Sequence, residues 1–101
     1  MPLAKVVRLD ALPPGTMTEA RVNGQSYVVA NAGGEIHALG GVCPHRGASL
    51  AHGALHGSSI VCPWHAWEFD CRSGEHDFDP SIRLARVPVR LADGDIYIEV
   101  P

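Results

Sequence analysis

Long apolar runs are missing from this chain. The N-terminal stretch Met1-Pro2-Leu3-Ala4-Lys5-Val6-Val7-Arg8-Leu9-Asp10 meets charge before it reaches the length of a secretory signal or a membrane span, so a cytoplasmic location is expected. Excess positive charge is missing too. With 8 Lys+Arg against 11 Asp+Glu the formal net charge is −3, which offers no basic face to nucleic acid or anionic lipid. Helix signals, internal repeats and low-complexity linkers are scarce or absent, which argues against a helical bundle, a solenoid and a multidomain chain. Aromatic residues make up only 6%, so any core must be chiefly aliphatic.

What is present reads as one all-β domain spanning residues 1–101. The chain can bury about two thirds of its unfolded surface, and 46% hydrophobic with 19% charged residues is the balance of a folded globular protein. Runs rich in β-branched and aliphatic residues recur between turn signals at 6–9, 18–22, 27–30, 36–39, 59–61, 67–69, 82–91 and 96–100. Asn23-Gly24 predicts a two-residue hairpin turn. Asn31-Ala32-Gly33-Gly34 and Asp93-Gly94 predict further reversals. Val87, Val89 and Leu91 alternate with Arg86, Pro88 and Arg90, a half-buried strand in which Pro88 favours an edge. Ile96, Ile98 and Val100 repeat the pattern, so a C-terminal hairpin should close a sheet. Residues 75–81 read as a surface loop.

The chemistry concentrates in two short clusters, Cys43-Pro44-His45 and Cys62-Pro63-Trp64-His65. Each offers a thiolate and an imidazole, four donors of metal-ligand type. Two sulfurs and two nitrogens suit a tetrahedral zinc ion; they also suit a pair of irons, one taking both cysteines and the other both histidines. Both pairs lie in Pro- and Gly-rich loops rather than on the helix that carries the histidines of a zinc finger. Pro44 and Pro63 restrict the backbone beside each cysteine. The third cysteine, Cys71, has no partner left for a disulfide, which fits a reducing compartment.

The match extends beyond four letters. Cys43-Pro44-His45-Arg46-Gly47-Ala48-Ser49-Leu50, then Gly53 and Gly57, then Ile60-Val61-Cys62-Pro63-Trp64-His65-Ala66-Trp67-Glu68-Phe69-Asp70 and Ser73-Gly74-Glu75 resemble the Rieske [2Fe-2S] proteins. The chain is similar to the ferredoxins and oxygenase Rieske domains of bacterial ring-hydroxylating systems, and more loosely to the small subunit of assimilatory nitrite reductase. That resemblance implies antiparallel sheets forming a base barrel, with a small cluster-binding subdomain at about 41–70. It implies one Rieske-type [2Fe-2S] cluster per chain, held by Cys43, His45, Cys62 and His65. It also implies an electron carrier rather than an enzyme, with a ferredoxin reductase and a terminal oxygenase as partners; charge and hydropathy lead to the expectation of no nucleic acid and no membrane. The alternatives are a small Rieske subunit of a larger reductase such as nitrite reductase, and a zinc-stabilised binding module.

High-potential relatives carry a disulfide between the loops and hydroxyl residues after the second histidine. Here the corresponding positions read Ala48 and Trp64, and Trp67 and Phe69. The resemblance therefore implies a potential at the low end of the family, around −150 mV. Imidazole ligation further implies a midpoint that is level near neutral pH and falls in alkali. Arg46 reads as a contact to the reduced cluster or as a solvated cation. Trp64 reads as a shield and Trp67 as a shield or a core residue. His37, His52, His56 and His76 read as surface or turn histidines, Cys71 as a spare, partly buried thiol, and Asp77 and Asp79 as loop carboxylates with docking as their functional reading.

Overall fold

A computed structural model describes residues 3–43, 47, 49–63 and 67–100. Among these, the strands are β1 (Leu3–Arg8), β2 (Met17–Val22), β3 (Gln25–Ala32), β4 (Glu35–Gly40), β5 (Ala54–His56), β6 (Ser59–Val61), β7 (Glu68–Asp70), β8 (Arg86–Val87), β9 (Val89–Ala92) and β10 (Asp95–Glu99). They form three antiparallel sheets, in the orders β1-β10-β9, β2-β3-β4-β8 and β5-β6-β7. Helix among the described residues is limited to single 3-10 turns at Leu9–Ala11 and Leu50–His52. The all-β expectation holds. No helix among them is long and apolar enough to cross a membrane.

Turn chemistry sets the hairpins. Asn23 and Gly24 have φ of 53° and 78°, the pair of positive values that lets a two-residue turn follow the twist of its strands. Asp93 and Gly94, at 53° and 79°, do the same between β9 and β10. The signal at 31–34 resolves differently, because Asn31 and Ala32 remain in β3 and only Gly33-Gly34 reverse the chain. The Asn31 side chain is buried. Its amide nitrogen donates to the Leu12 carbonyl and its oxygen accepts from the Gly34 N–H, each at 2.8 Å, so it is paired at both ends and fastens the 12–16 connection.

The four-stranded sheet is a shared wall. Along β3 every residue from Val28 to Ala32 is buried, as a strand covered on both faces requires. Val28 lies opposite Leu39 on β4 and Val29 opposite Ala38. The first pair joins a core with Leu50, Ile60 and Phe69, and the second joins Ile96, Ile98 and Val100 of the C-terminal hairpin. Each fully buried large aliphatic contributes about 1.5–3 kcal/mol through removal from water.

Three strand expectations change. Leu9 leaves β1 for a 3-10 turn, and residues 54–56 add a strand that their glycine-rich setting did not suggest. The run 82–91 breaks in two. Pro88 has no N–H to give a ladder, so pairing with β4 ends at Val87 and pairing with β10 begins at Val89. Its carbonyl still accepts from the Glu99 N–H at 3.0 Å. One proline thus hands the chain from one sheet edge to another. Val87 and Val89 face the core, but Leu91 is 52% exposed: it sits at the end of an edge strand, next to the Asp93-Gly94 turn, where the facing sheet no longer covers it.

Candidate metal centre

Both Cys/His loops leave the sheets through hydrogen-bonded necks. Around the first, Val42 bridges Ser49, the Leu50 N–H donates to the Gly41 carbonyl at 2.8 Å, and the Gly47 N–H donates to the Cys43 carbonyl at 2.8 Å. Gly47 has φ of 71°, so the reversal needs a residue free of a Cβ. Around the second, the Cys62 N–H donates to the Trp67 carbonyl at 2.7 Å. Each cysteine therefore anchors its own loop through the main chain.

A close backbone approach stands behind each neck. A Cβ on Gly41 would lie 2.8 Å from the Tyr27 carbonyl carbon and 2.8 Å from the Ser26 Oγ, and a Cβ on Gly53 would collide with the Val61 carbonyl oxygen. Gly41 is two residues before Cys43, and Val61 is the residue before Cys62. Nothing in the sequence distinguishes these glycines from turn glycines, because the residues they abut are distant in the chain.

Glu19 is a second feature legible only in three dimensions. Its Oε2 accepts from Ser26 Oγ at 2.6 Å and from Ser49 Oγ at 3.3 Å, tying the base of the first loop to β2 and β3. The Ser26 hydrogen bond holds its carboxyl below the usual glutamate range; burial opposes it, and the weaker effects of the Arg21 charge and the Ser49 bond add to the lowering.

His76 corrects the expectation of a surface histidine. It is 6% exposed, because its ring is wedged edge-on between Trp67 and Phe69 at centroid distances of 4.4 and 5.4 Å. Its Nδ1 accepts from the N–H groups of Phe78 and Asp79, each at 3.2 Å, so the ring proton belongs on Nε2. The Trp67-x-Phe69 alternation marks the two rings that receive it, but the isolated β-bridge that sets His76 opposite Phe69 lies outside the strands and has no local signal. Trp67 is accordingly a packing residue of the second neck. His37 is partly buried, with Nε2 3.1 Å from Glu35 Oε1, while His52 and His56 are exposed, on a 3-10 turn and on β5.

Cys43, at 0% exposure, and Cys62, at 2%, share one buried cluster with Leu50, Ile60, Phe69 and Cys71. Cys71 is fully rather than partly buried. Burial pushes its thiol up, so it stays protonated while its N–H donates to the Ser58 carbonyl at 2.8 Å. A thiol buries freely; a thiolate does so only against a cation. Two cysteines on pinned loops in apolar surroundings therefore fit the sulfur half of a metal centre closed to water. His45 and His65 lie outside the described residues, as do Pro44, Arg46, Ala48 and Trp64.

Comparison with known proteins adds the family. The Rieske [2Fe-2S] domain model matches residues 3–88. The chain is 36% identical to the ferredoxin component of the naphthalene 1,2-dioxygenase/salicylate 5-hydroxylase systems of Ralstonia sp, covering 91% of this chain and 89% of that protein. It is 33% identical to a 4beta-methylsterol monooxygenase of Methylococcus capsulatus, over 92% of this chain but only 28% of that much longer relative. Among solved structures it resembles a chain in the complex of reduced oxygenase and oxidized ferredoxin in carbazole 1,9a-dioxygenase, with a TM-score of 0.87 and 30% identity over 95% of this chain and 100% of that one.

Proposed function

This chain belongs to the Rieske [2Fe-2S] family, and on that premise we propose that it is a one-electron carrier that accepts from an NAD(P)H-dependent ferredoxin reductase and donates to a terminal oxygenase of the ring-hydroxylating dioxygenase type. The observation that carries the reading is the match, along nearly the whole of both chains, to a relative named as a ferredoxin component. When bound, the Rieske-type cluster supplies a single-electron couple. Cys43 and Cys62 hold it by sulfur and His45 and His65 by imidazole nitrogen, with residues at about 41–70 as the cluster-binding subdomain and the remaining sheets as its base. Substrate chemistry belongs to the oxygenase, and the working compartment is the cytoplasm.

The described residues suit that task. A carrier changes charge with little rearrangement, and the necks at Cys43 and Cys62 are held by main-chain hydrogen bonds over a close-packed core. Trp67 and Phe69 stand where high-potential relatives carry hydroxyl residues, and neither side chain has a hydroxyl to stabilise an added electron. A midpoint at the negative end of the family range follows.

Anaerobic purification tests the assignment. Iron and acid-labile sulfide in equal amounts are expected, together with an EPR signal that appears on dithionite reduction and a negative midpoint in voltammetry. A colourless, zinc-containing protein with no such signal would overturn it.

A further inference from the structure

Phe78 is 89% exposed, far beyond the next most exposed large apolar residue among those described, Leu91 at 52%. A slack loop would fold such a ring back onto the protein. This loop is tied instead. The His76 N–H donates to the Ile82 carbonyl and the Ile82 N–H to the Asp79 carbonyl, each at 2.9 Å. His76 Nδ1 takes the N–H groups of Phe78 and Asp79, and the Asp79 carboxylate takes the Ser81 N–H at 3.0 Å and hydroxyl at 2.6 Å. The Phe78 ring stands 6.0 Å from the buried His76 ring, which itself rests on Trp67. An aromatic side chain presented by a pre-ordered loop is what a binding hot spot requires, since little freedom remains to be lost on contact.

The surroundings are acidic. Asp77 and Asp79 flank the ring, and Glu68, Asp70, Glu75 and Asp77 line an adjoining groove of about 270 Å³. The Ser81 bonds keep Asp79 below the usual carboxylate range and so ionised. Arg83 is paired with Glu75 and Arg72 with Glu35, which leaves Glu68, Asp70, Asp77 and Asp79 as the carboxylates that give this face its charge. Position matters as well: Trp67, one ring away through His76, is two residues beyond His65 in the sequence.

We propose that Phe78, flanked by Asp77 and Asp79, is a docking anchor for a redox partner whose surface offers an apolar recess rimmed by lysine and arginine. The proposal rests on the carrier reading and adds the place and chemistry of the contact. The acidic flanks attract and orient the basic rim, and the ring fills the recess, seating the partner on the same aromatic group as Trp67.

Cytochrome c, a basic haem protein with an apolar haem edge ringed by lysines, is the probe. Its affinity for the oxidised holoprotein at low salt should fall by roughly tenfold in Phe78→Ser. In Asp77→Asn/Asp79→Asn the affinity should fall with a flattened salt dependence. Both variants should keep wild-type iron content and unfolding midpoint. Unchanged affinity in Phe78→Ser overturns the proposal, since attraction between opposite charges does not depend on that ring. So does sedimentation showing a wild-type dimer that Phe78→Ser converts to monomer, which would make a second copy the occupant. Iron content is measured on the same preparations: its absence defeats the carrier reading, whereas iron-loaded protein whose affinity Phe78→Ser leaves unchanged defeats the anchor alone.

Discussion

The two faces of the β2-β3-β4-β8 sheet are buried against very different material. On one side Val29 and Ala38 meet Ile96, Ile98 and Val100, an aliphatic core with no cysteine in it. On the other, Val28 and Leu39 meet Phe69 and Leu50 along with Cys43, Cys62 and Cys71. The first core is complete with its own side chains. The second surrounds two sulfurs whose ionised form needs a cation, so on the carrier reading it is finished only by the cluster.

The largest effect that separates the halves should come from Cys62→Ala, which is expected to abolish cluster incorporation, measured as iron and acid-labile sulfide, while far-ultraviolet circular dichroism still reports β structure. Ile98→Ala tests the opposite side. It should lower stability by about 2–5 kcal/mol in urea titration, with the iron content of the folded fraction unchanged; a parallel loss of iron would mean that the cores are not separable. Gly53→Ala strikes the seam, because its new methyl meets the Val61 carbonyl beside Cys62. A cost of about 1–3 kcal/mol is expected together with reduced iron occupancy. Cys71→Ser should cost about 1–2 kcal/mol for the buried hydroxyl and leave the visible spectrum intact; a bleached variant would put Cys71 among the ligands.

The smallest effect concerns pH. The Glu19 carboxyl is lowered from its ordinary value of 4.5, so its contribution is complete above that value and disappears as pH falls through the depressed folded value. Urea midpoints taken between about pH 3 and 6 should decline toward acid in the wild type and decline less in Glu19→Gln. Identical slopes would show that the Ser26–Glu19–Ser49 tie contributes nothing measurable.

Most of the strand content and every turn residue with positive φ at 23–24 and 93–94 was legible from local chemistry, because twist-matched hairpins demand particular residues wherever they occur. The two Cys/His clusters stood out as candidate ligands in the sequence, Cys43 and His45 flanking Pro44 and Cys62 and His65 flanking Pro63-Trp64, and the folded chain buries both cysteines in one cluster. His76 and Leu91 went the other way. One reads as a polar loop residue and is buried, and the other reads as an inward-facing apolar residue and is exposed, because burial depends on which distant element arrives overhead.

Alternation of residue type along the chain, turn chemistry and donor chemistry are properties of neighbouring residues, and they were enough to specify an all-β domain with a sulfur and imidazole donor set. Only the folded chain decided that Pro88 passes the strand between sheets, that Gly41 and Gly53 admit foreign backbone beside the two cysteines, and that a buried histidine props an exposed phenylalanine between two aspartates. Those outcomes depend on contacts between residues far apart in sequence, where steric fit and hydrogen-bond geometry, rather than local propensity, set the energy.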